Sequence, residues 1–183
     1  MRKLALLLLL SLAVSVVASS ATVSNSRVPN SAGSAKFAVE VVQVAELPVS
    51  VREVILTKTR NGYLLKCLLA NNTADQIVRL DYLLLIIDSN NAERHLVNGT
   101  EDFRLRGYGT KPLISQTPLR LEVGDGYRLF LMPNRVFSRE SVWEVLKANK
   151  VLDAHVSGDY SVTPEVVHTL NLYDTPPQSR IIY

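Results

Sequence analysis

The sequence predicts an all-β fold, an antiparallel sandwich of about seven short strands with one short helix. Three observations support this prediction. Runs rich in Val, Ile, Leu and aromatic residues recur along the chain, turn-forming residues separate them at sandwich spacing, and one run is apolar on both faces. Apolar residues make up 47% of the 183 residues, which suffices for one core and favours a single domain.

Residues 1–21 have the pattern of a secretory signal peptide. A basic head at residues 1–3 precedes an apolar run at residues 4–18, and small side chains follow where a signal peptidase would cleave. The run is shorter than the roughly 20 residues of a transmembrane helix, and two serines interrupt it. We therefore expect an exported protein, periplasmic or extracellular, with no transmembrane span after cleavage; an uncleaved anchor is the alternative.

Charge and cysteine content restrict the possible partners. The net charge of +3 arises from 20 basic and 17 acidic residues, and it falls to +1 once Arg2 and Lys3 leave with the signal. A chain so close to neutral has no overall field that would draw it to nucleic acid, and export also argues against that partner. Cys67 is the sole cysteine, so no intramolecular disulfide is possible and the core must supply the stability.

The domain is predicted to begin after a linker. Residues 22–35 are rich in Ser and Asn without an apolar period, which predicts a flexible segment before a domain at 36–172. Residues 37–44 and 49–59 form β-branched runs typical of strands. Asn61-Gly62 suits the positive φ of a tight hairpin turn, and the strand YLLKCLLA follows it.

The next strand is predicted to be buried on both sides. Residues 71–75 form a polar turn, and the apolar run 77–87 then continues to a second turn at 88–91. Over residues 80–87 one face carries Leu80, Tyr82, Leu84 and Ile86, and the other face is apolar at three of its four positions, with Asp81 as the exception; this pattern is typical of a strand covered on both sides. The predicted helix, the N-terminal strand or a partner chain could provide the second cover.

Shorter strands are predicted beyond this point. Residues 103–107 alternate, with Leu105 inward and two arginines outward. Residues 119–123 place three apolar side chains inward. A Gly-Asp-Gly turn then leads into a strand at 127–132.

The C-terminal part is predicted to contain the helix. Residues 138–149 place apolar side chains at helical spacing behind Ser138 as N-cap, although residues 143–145 would also suit a strand. A final short strand is predicted at 151–157. Residues 173–183, which include two consecutive prolines, are predicted to be a loosely ordered tail.

These elements favour an immunoglobulin-like sandwich. Within it, KCLLANNTADQIVRLDYLLLIIDSNN resembles the core of the FxLYD-type domains, small immunoglobulin-like sandwiches of exported and mostly uncharacterised bacterial proteins. Residues 71–75 correspond to the Asn-rich turn of that family, and residues 85–88 correspond to its strand end, with Ile87 in place of the usual tyrosine. The resemblance covers residues 63–90 and implies fold and export; it carries no catalytic residues.

No sequence pattern predicts catalysis, a metal or another cofactor. Cys67 lies in mid-strand, where a buried and unreactive thiol is expected. His95, His155 and His168 lack the spacing of a metal site, and neither a serine nucleophile motif nor a phosphate-binding loop is present. We therefore expect no enzyme activity; an envelope enzyme with a site assembled from loops is the alternative.

One segment is distinctly basic. Between residues 104 and 139 there are seven basic residues and two acidic ones. Arginines aligned on one outer strand face would bind an anionic glycan, a lipid headgroup or an acidic protein surface, whereas ordinary solvated positions are the alternative. Binding would then be abolished by reversing the first two arginines to glutamate. The candidate binding residues are Arg104, Arg106, Arg120 and Arg128.

The sequence therefore predicts a non-catalytic interaction or assembly module of the cell envelope, which presents strand faces, edges or loops to a protein partner.

Overall fold

The computed structural model describes residues 35–170, which form two packed β-sheets and one helix. The predicted all-β sandwich is confirmed, although ten strands are present within these residues instead of about seven. The predicted signal peptide, almost all of the linker and the tail lie outside the described residues. The elements are β1 (Lys36–Ala38), β2 (Glu40–Val41), β3 (Val49–Thr59), β4 (Gly62–Asn71), β5 (Ile77–Asp88), β6 (Arg94–Leu105), β7 (Thr110–Ile114), β8 (Tyr127–Ser138), β9 (Ser141–Leu146), α1 (Ala148–Ser157) and β10 (Glu165–Leu170).

The strands divide between a four-stranded sheet A and a six-stranded sheet B. Sheet A has the order β1-β3-β4-β7, and sheet B has the order β10-β9-β8-β5-β6 with β2 added to β8. Neighbouring strands are antiparallel, apart from the parallel pair β2 and β8. The core lies between the sheets and is built mainly from Val, Leu and Ile side chains.

The single strand predicted at 37–44 is wrong, because the chain changes sheets there. β1 pairs with β3 in sheet A, whereas β2 pairs with β8 in sheet B. The Val39 N–H donates to the Val54 carbonyl, and the Val42 N–H donates to the Leu131 carbonyl. Since the backbone partners switch between these two valines, the segment joins both sheets at one edge of the sandwich.

The predicted hairpin joins β3 to β4. The strand predicted at 49–59 has these bounds in the structure, and Thr59 pairs with Gly62 around the turn. Of the two residues at the turn, Gly62 has a positive φ, at +134°, and Asn61 does not. A Cβ at Gly62 would lie 2.5 Å from the Leu119 carbonyl oxygen, so this turn requires glycine for space as well as for conformation.

β5 is the central strand of sheet B and is buried on both faces, as predicted. Leu84 is fully buried in the core, and the next residue, Leu85, points to the opposite face of the sheet. There Leu85 and Leu96 adjoin Leu152 of α1. A helix therefore covers the second face of β5, as one of the expected alternatives, but it is formed by residues 148–157 and not by the predicted residues 138–149.

The predicted helix at 138–149 and the predicted strand at 151–157 are both wrong, whereas the alternative strand at 143–145 is present within β9. Residues 141–146 form β9, and residues 148–157 form α1. The Ser138 hydroxyl accepts the N–H groups of Glu140 and Ser141 in the β8–β9 turn, and caps no helix. The β-branched and aromatic residues of β9 favour the strand once β8 and β10 pair with it, and Gly158, at φ +73°, ends the helix.

Three other predictions are refined. The strand predicted at 103–107 is the end of the longer β6, in which Leu105 points inward as expected. Residues 119–123 form no regular strand; Leu119 makes one bridge to Tyr63, while its apolar neighbours are half-buried against the core. The strand predicted at 127–132 is present and continues to Ser138.

Candidate functional site

The outer face of sheet B is covered at one end and open at the other. α1 lies over the end that contains Leu85 and Leu96. At the other end, the paired strands bring Asp81 beside Thr100 and Arg135, and the next row of the sheet brings Arg79 beside Phe137. This open end therefore carries charged side chains where the helix-covered end carries leucines.

Asp81 organises the open end. Asp81 is 4% exposed, and its carboxylate accepts a hydrogen bond from the Thr100 hydroxyl at 2.9 Å. The Arg79 Nε lies 2.9 Å from Asp81 Oδ1, and an Arg135 terminal nitrogen lies 2.8 Å from Oδ2. Both guanidinium groups also lie over the Phe137 ring, at 5.1 and 5.7 Å from its centroid. The buried carboxylate thus holds two half-exposed arginines on one aromatic platform.

A basic groove of about 710 Å³ opens beside this platform. Lys111 comes from sheet A, so side chains from both sheets line it. Among residues 35–170, no carboxylate lies within 4.0 Å of the charged nitrogens of Arg104, Lys111 or Arg139. The groove is lined by Val78, Arg79, Asp102, Phe103, Arg104, Lys111, Phe137, Ser138 and Arg139.

A β-bulge shapes the groove. The register of β5 shifts between Ile77 and Arg79 against both β6 and β8, which leaves Val78 as the extra residue against β8. A bulge of this kind changes the side-chain alternation locally, so that Val78 and Arg79 both line the groove while Ile77 is fully buried. The sequence contains no turn residue at this point that would have indicated the bulge.

The structure does not bring the four predicted arginines together. Arg104 lines the groove, whereas Arg106 lies beyond the end of β6, next to Gly109. Arg120 lies in the connection after β7, outside the strands. Arg128 pairs with Ile87 at the opposite end of sheet B, roughly 30 Å along β5 from Arg104. Arg104 is thus the one member of the predicted set in the groove.

Cys67, Glu101 and Tyr82 are ionisable groups buried inside the sandwich. Cys67 is buried, as predicted, and its burial together with the nearby Glu101 raises its pKa to about 12. Glu101 is 5% exposed; burial raises its pKa, and the Gln116 N–H that its carboxylate accepts at 3.2 Å partly offsets the rise. Burial also raises the pKa of Tyr82. These groups pack into the core and do not line the groove.

The three histidines lie on different elements. His95 of β6 is 3.2 Å from Glu93, and the Nε2 of His155 in α1 is 3.2 Å from a carboxylate oxygen of Glu40. His168 of β10 stacks on Trp143 with centroids 4.6 Å apart. No group of three or more His, Cys, Asp or Glu side chains suited to a metal ion occurs in the described part of the chain.

The fold and the groove place the protein among all-β sandwiches with a basic surface site. Comparison of the chain with protein-family models, curated proteins and solved structures finds no match. Between residues 35 and 170, no helix has the length and apolar character needed to cross a membrane.

Proposed function

We propose that this protein is a non-catalytic interaction module of the cell envelope, which binds an acidic segment of a partner protein in the basic groove. The observation that supports this proposal is the convergence of Arg104, Lys111 and Arg139 on one groove without an ion-pair partner among residues 35–170. The signal-like N-terminus and the resemblance to exported FxLYD-type domains support the location.

The chemistry of the groove suits carboxylates. A guanidinium group presents parallel N–H donors that match both oxygens of a carboxylate, and the lysine adds a mobile positive charge. Arg79 is held in place by Asp81, so its orientation is already set before a ligand arrives. Phe103 and Phe137 supply apolar surface for the rest of the bound segment.

The lining favours binding over catalysis. Asp102 is its single carboxylate, none of its residues is a histidine or a cysteine, and the Ser138 hydroxyl oxygen already accepts the N–H groups of Glu140 and Ser141. A hydrolytic or acyl-transfer site needs a nucleophile or a general acid and base within reach of one another. The proposal of a binding module therefore ranks ahead of the envelope enzyme.

The test compares charge reversal inside and outside the groove. Arg104→Glu combined with Arg139→Glu is expected to weaken binding of a fluorescent glutamate-rich peptide by at least about tenfold. Arg128→Glu is the matched control, because it reverses an exposed arginine at the opposite end of the same sheet. Binding should also weaken as NaCl rises from about 0.05 to about 0.5 M.

Two further probes separate the source of the anionic group. A polyuronate and vesicles containing phosphatidylglycerol are titrated under the same conditions as the peptide. If the polyuronate or the vesicles bind through the groove and the peptide does not bind, the ligand is a glycan or a lipid and not a protein. The proposal would be contradicted if Arg128→Glu weakened binding as much as the groove variant does, or if the groove variant bound as tightly as the wild type.

A further inference from the structure

β6 forms one edge of sheet B and is long for an edge strand. Its twelve residues pair with β5 on one side, and no strand within residues 35–170 pairs with the other side. Edge strands of this length can pair with another chain unless lysine, proline or a bulge blocks them. Sheet A shows such protection, because its edge strand β7 carries Lys111-Pro112. β6 contains neither lysine nor proline, and its one register shift against β5, between Asp102 and Leu105, lies beyond the segment from Arg94 to Asp102.

The direction of the backbone groups identifies the free hydrogen-bonding positions. The Asp102 carbonyl accepts a hydrogen bond from the Gln116 side-chain amide, so the backbone groups of Asp102 face away from β5. The register with β5 is unshifted from Asp102 to Arg94. Since backbone direction alternates along a strand, the N–H and C=O groups of Leu96, Asn98 and Thr100 also face the free edge.

We propose that β6 pairs antiparallel with β6 of a second copy of this chain, about a twofold axis at Asn98. In this register Arg94 lies opposite the second copy's Asp102, and Leu96 lies opposite its Thr100. A twofold axis repeats each contact, so the two opposite-charge pairs flank the junction symmetrically.

Neighbouring registers lose this charge pairing. Moving the axis to Val97 places Arg94 opposite Thr100 of the second copy, and moving it to Gly99 places Leu96 opposite Asp102. Opposite charges directly across an antiparallel pair stabilise it. The positions of Arg94 and Asp102 therefore favour the register centred on Asn98.

The surroundings of β6 permit this pairing. Leu96 is 42% exposed and would be covered by the second copy. The Arg94–Asp153 ion pair joins two half-exposed side chains, and pairs of this kind contribute little to stability. Gln116 is exposed, so its side chain is free to yield the Asp102 carbonyl to the incoming Arg94 N–H.

Complementary charge reversal tests the proposal by sedimentation velocity. The wild-type protein should sediment as a species with the mass of two chains. Arg94→Asp and Asp102→Arg should each raise the dimer dissociation constant by at least about tenfold, because each places like charges opposite one another. An equimolar mixture of the two variants should dimerise again, since every pair in the mixed dimer has opposite charges. Lys66→Asp, an exposed substitution on β4, is the matched control.

The mixing result depends on pairing between copies and not on stability within one copy. Any one of three outcomes would overturn the proposal: the wild-type protein is monomeric at about 100 μM, the variants dimerise like the wild type, or the mixture stays monomeric. If a charge variant fails to fold, Asn98→Pro replaces it, since the Asn98 N–H faces away from β5 and its loss removes no hydrogen bond of that ladder. This variant should be folded and monomeric, and a folded dimer would contradict the register.

Discussion

Replacing Leu152 by alanine tests whether α1 seals the outer face of sheet B. Leu152 is 1% exposed and adjoins Leu85 and Leu96. Its truncation removes the equivalent of three methylene groups, a transfer loss of about 2.4 kcal/mol at about 0.8 kcal/mol each. A residual cavity adds to this loss, within the range of about 2–5 kcal/mol found for buried leucines. We expect the free energy of unfolding to fall by about 3 kcal/mol.

Urea unfolding followed by tryptophan fluorescence measures this change, because Trp143 is the sole tryptophan and lies on β9, just before the helix. For a domain of this size, about 3 kcal/mol corresponds to a fall in Tm of roughly 6–12 °C. Asp153→Ala is the control on the same helix. Its ion pair with Arg94 joins side chains that are 56% and 44% exposed, so its removal should cost no more than about 0.5 kcal/mol.

The outcome distinguishes a sealed face from a loosely attached helix. A loss below about 1 kcal/mol for Leu152→Ala would mean that the helix detaches readily and that β5 is not protected from that side. An equal loss in Asp153→Ala would refute the argument from burial, because that residue contributes no buried apolar surface.

Three further predictions concern the interior. The Cys67 thiol should resist a thiol reagent at pH 8 and react rapidly in denaturant, because burial raises its pKa to about 12; rapid labelling of the folded protein would contradict this. The folded-state pKa of Glu101 lies above its ordinary value of 4.5, so the folded protein holds this proton more tightly than the unfolded chain does. The free energy of unfolding should therefore fall as the pH rises from about 4.5 through the raised pKa. Thermal melts of Glu101→Gln should not show this pH dependence. Gly99→Ala should lower the Tm, because the added Cβ would overlap the Tyr82 ring. Adding Tyr82→Leu to the same chain should recover part of that loss in Tm. If the two substitutions lower the Tm additively, the overlap is not the cause.

Local patterns predicted much of the first half of the domain. The bounds of β3, the Asn61-Gly62 hairpin and the burial of β5 all follow from alternation, turn chemistry and a continuous apolar run. The same reasoning failed at residues 138–157, where strand and helix are exchanged. Those residues satisfy both periodicities over short lengths, and pairing of β9 with β8 and β10 decides between them.

The candidate site was only partly predictable. The excess of basic residues between 104 and 139 was visible in the sequence, and Arg104, Lys111 and Arg139 of that segment do line the groove. Arg79 lies outside that segment and reaches the groove beside the bulge at Val78. The sequence pattern groups Arg128 with Arg104, whereas in the structure the two lie at opposite ends of sheet B.

The sequence by itself determined the all-β class and the central strands β3, β4, β5 and β8, because side-chain alternation and turn chemistry act over a few neighbouring residues. It also determined that the stability rests on the core, since a single cysteine cannot form an intramolecular disulfide. Only the tertiary structure decided which cations share the basic groove and which strand edge is left unpaired among residues 35–170. The unpaired edge depends on strand order, and the groove depends on strand order and on a one-residue bulge; both bring together residues far apart in the chain and leave no local signal in it.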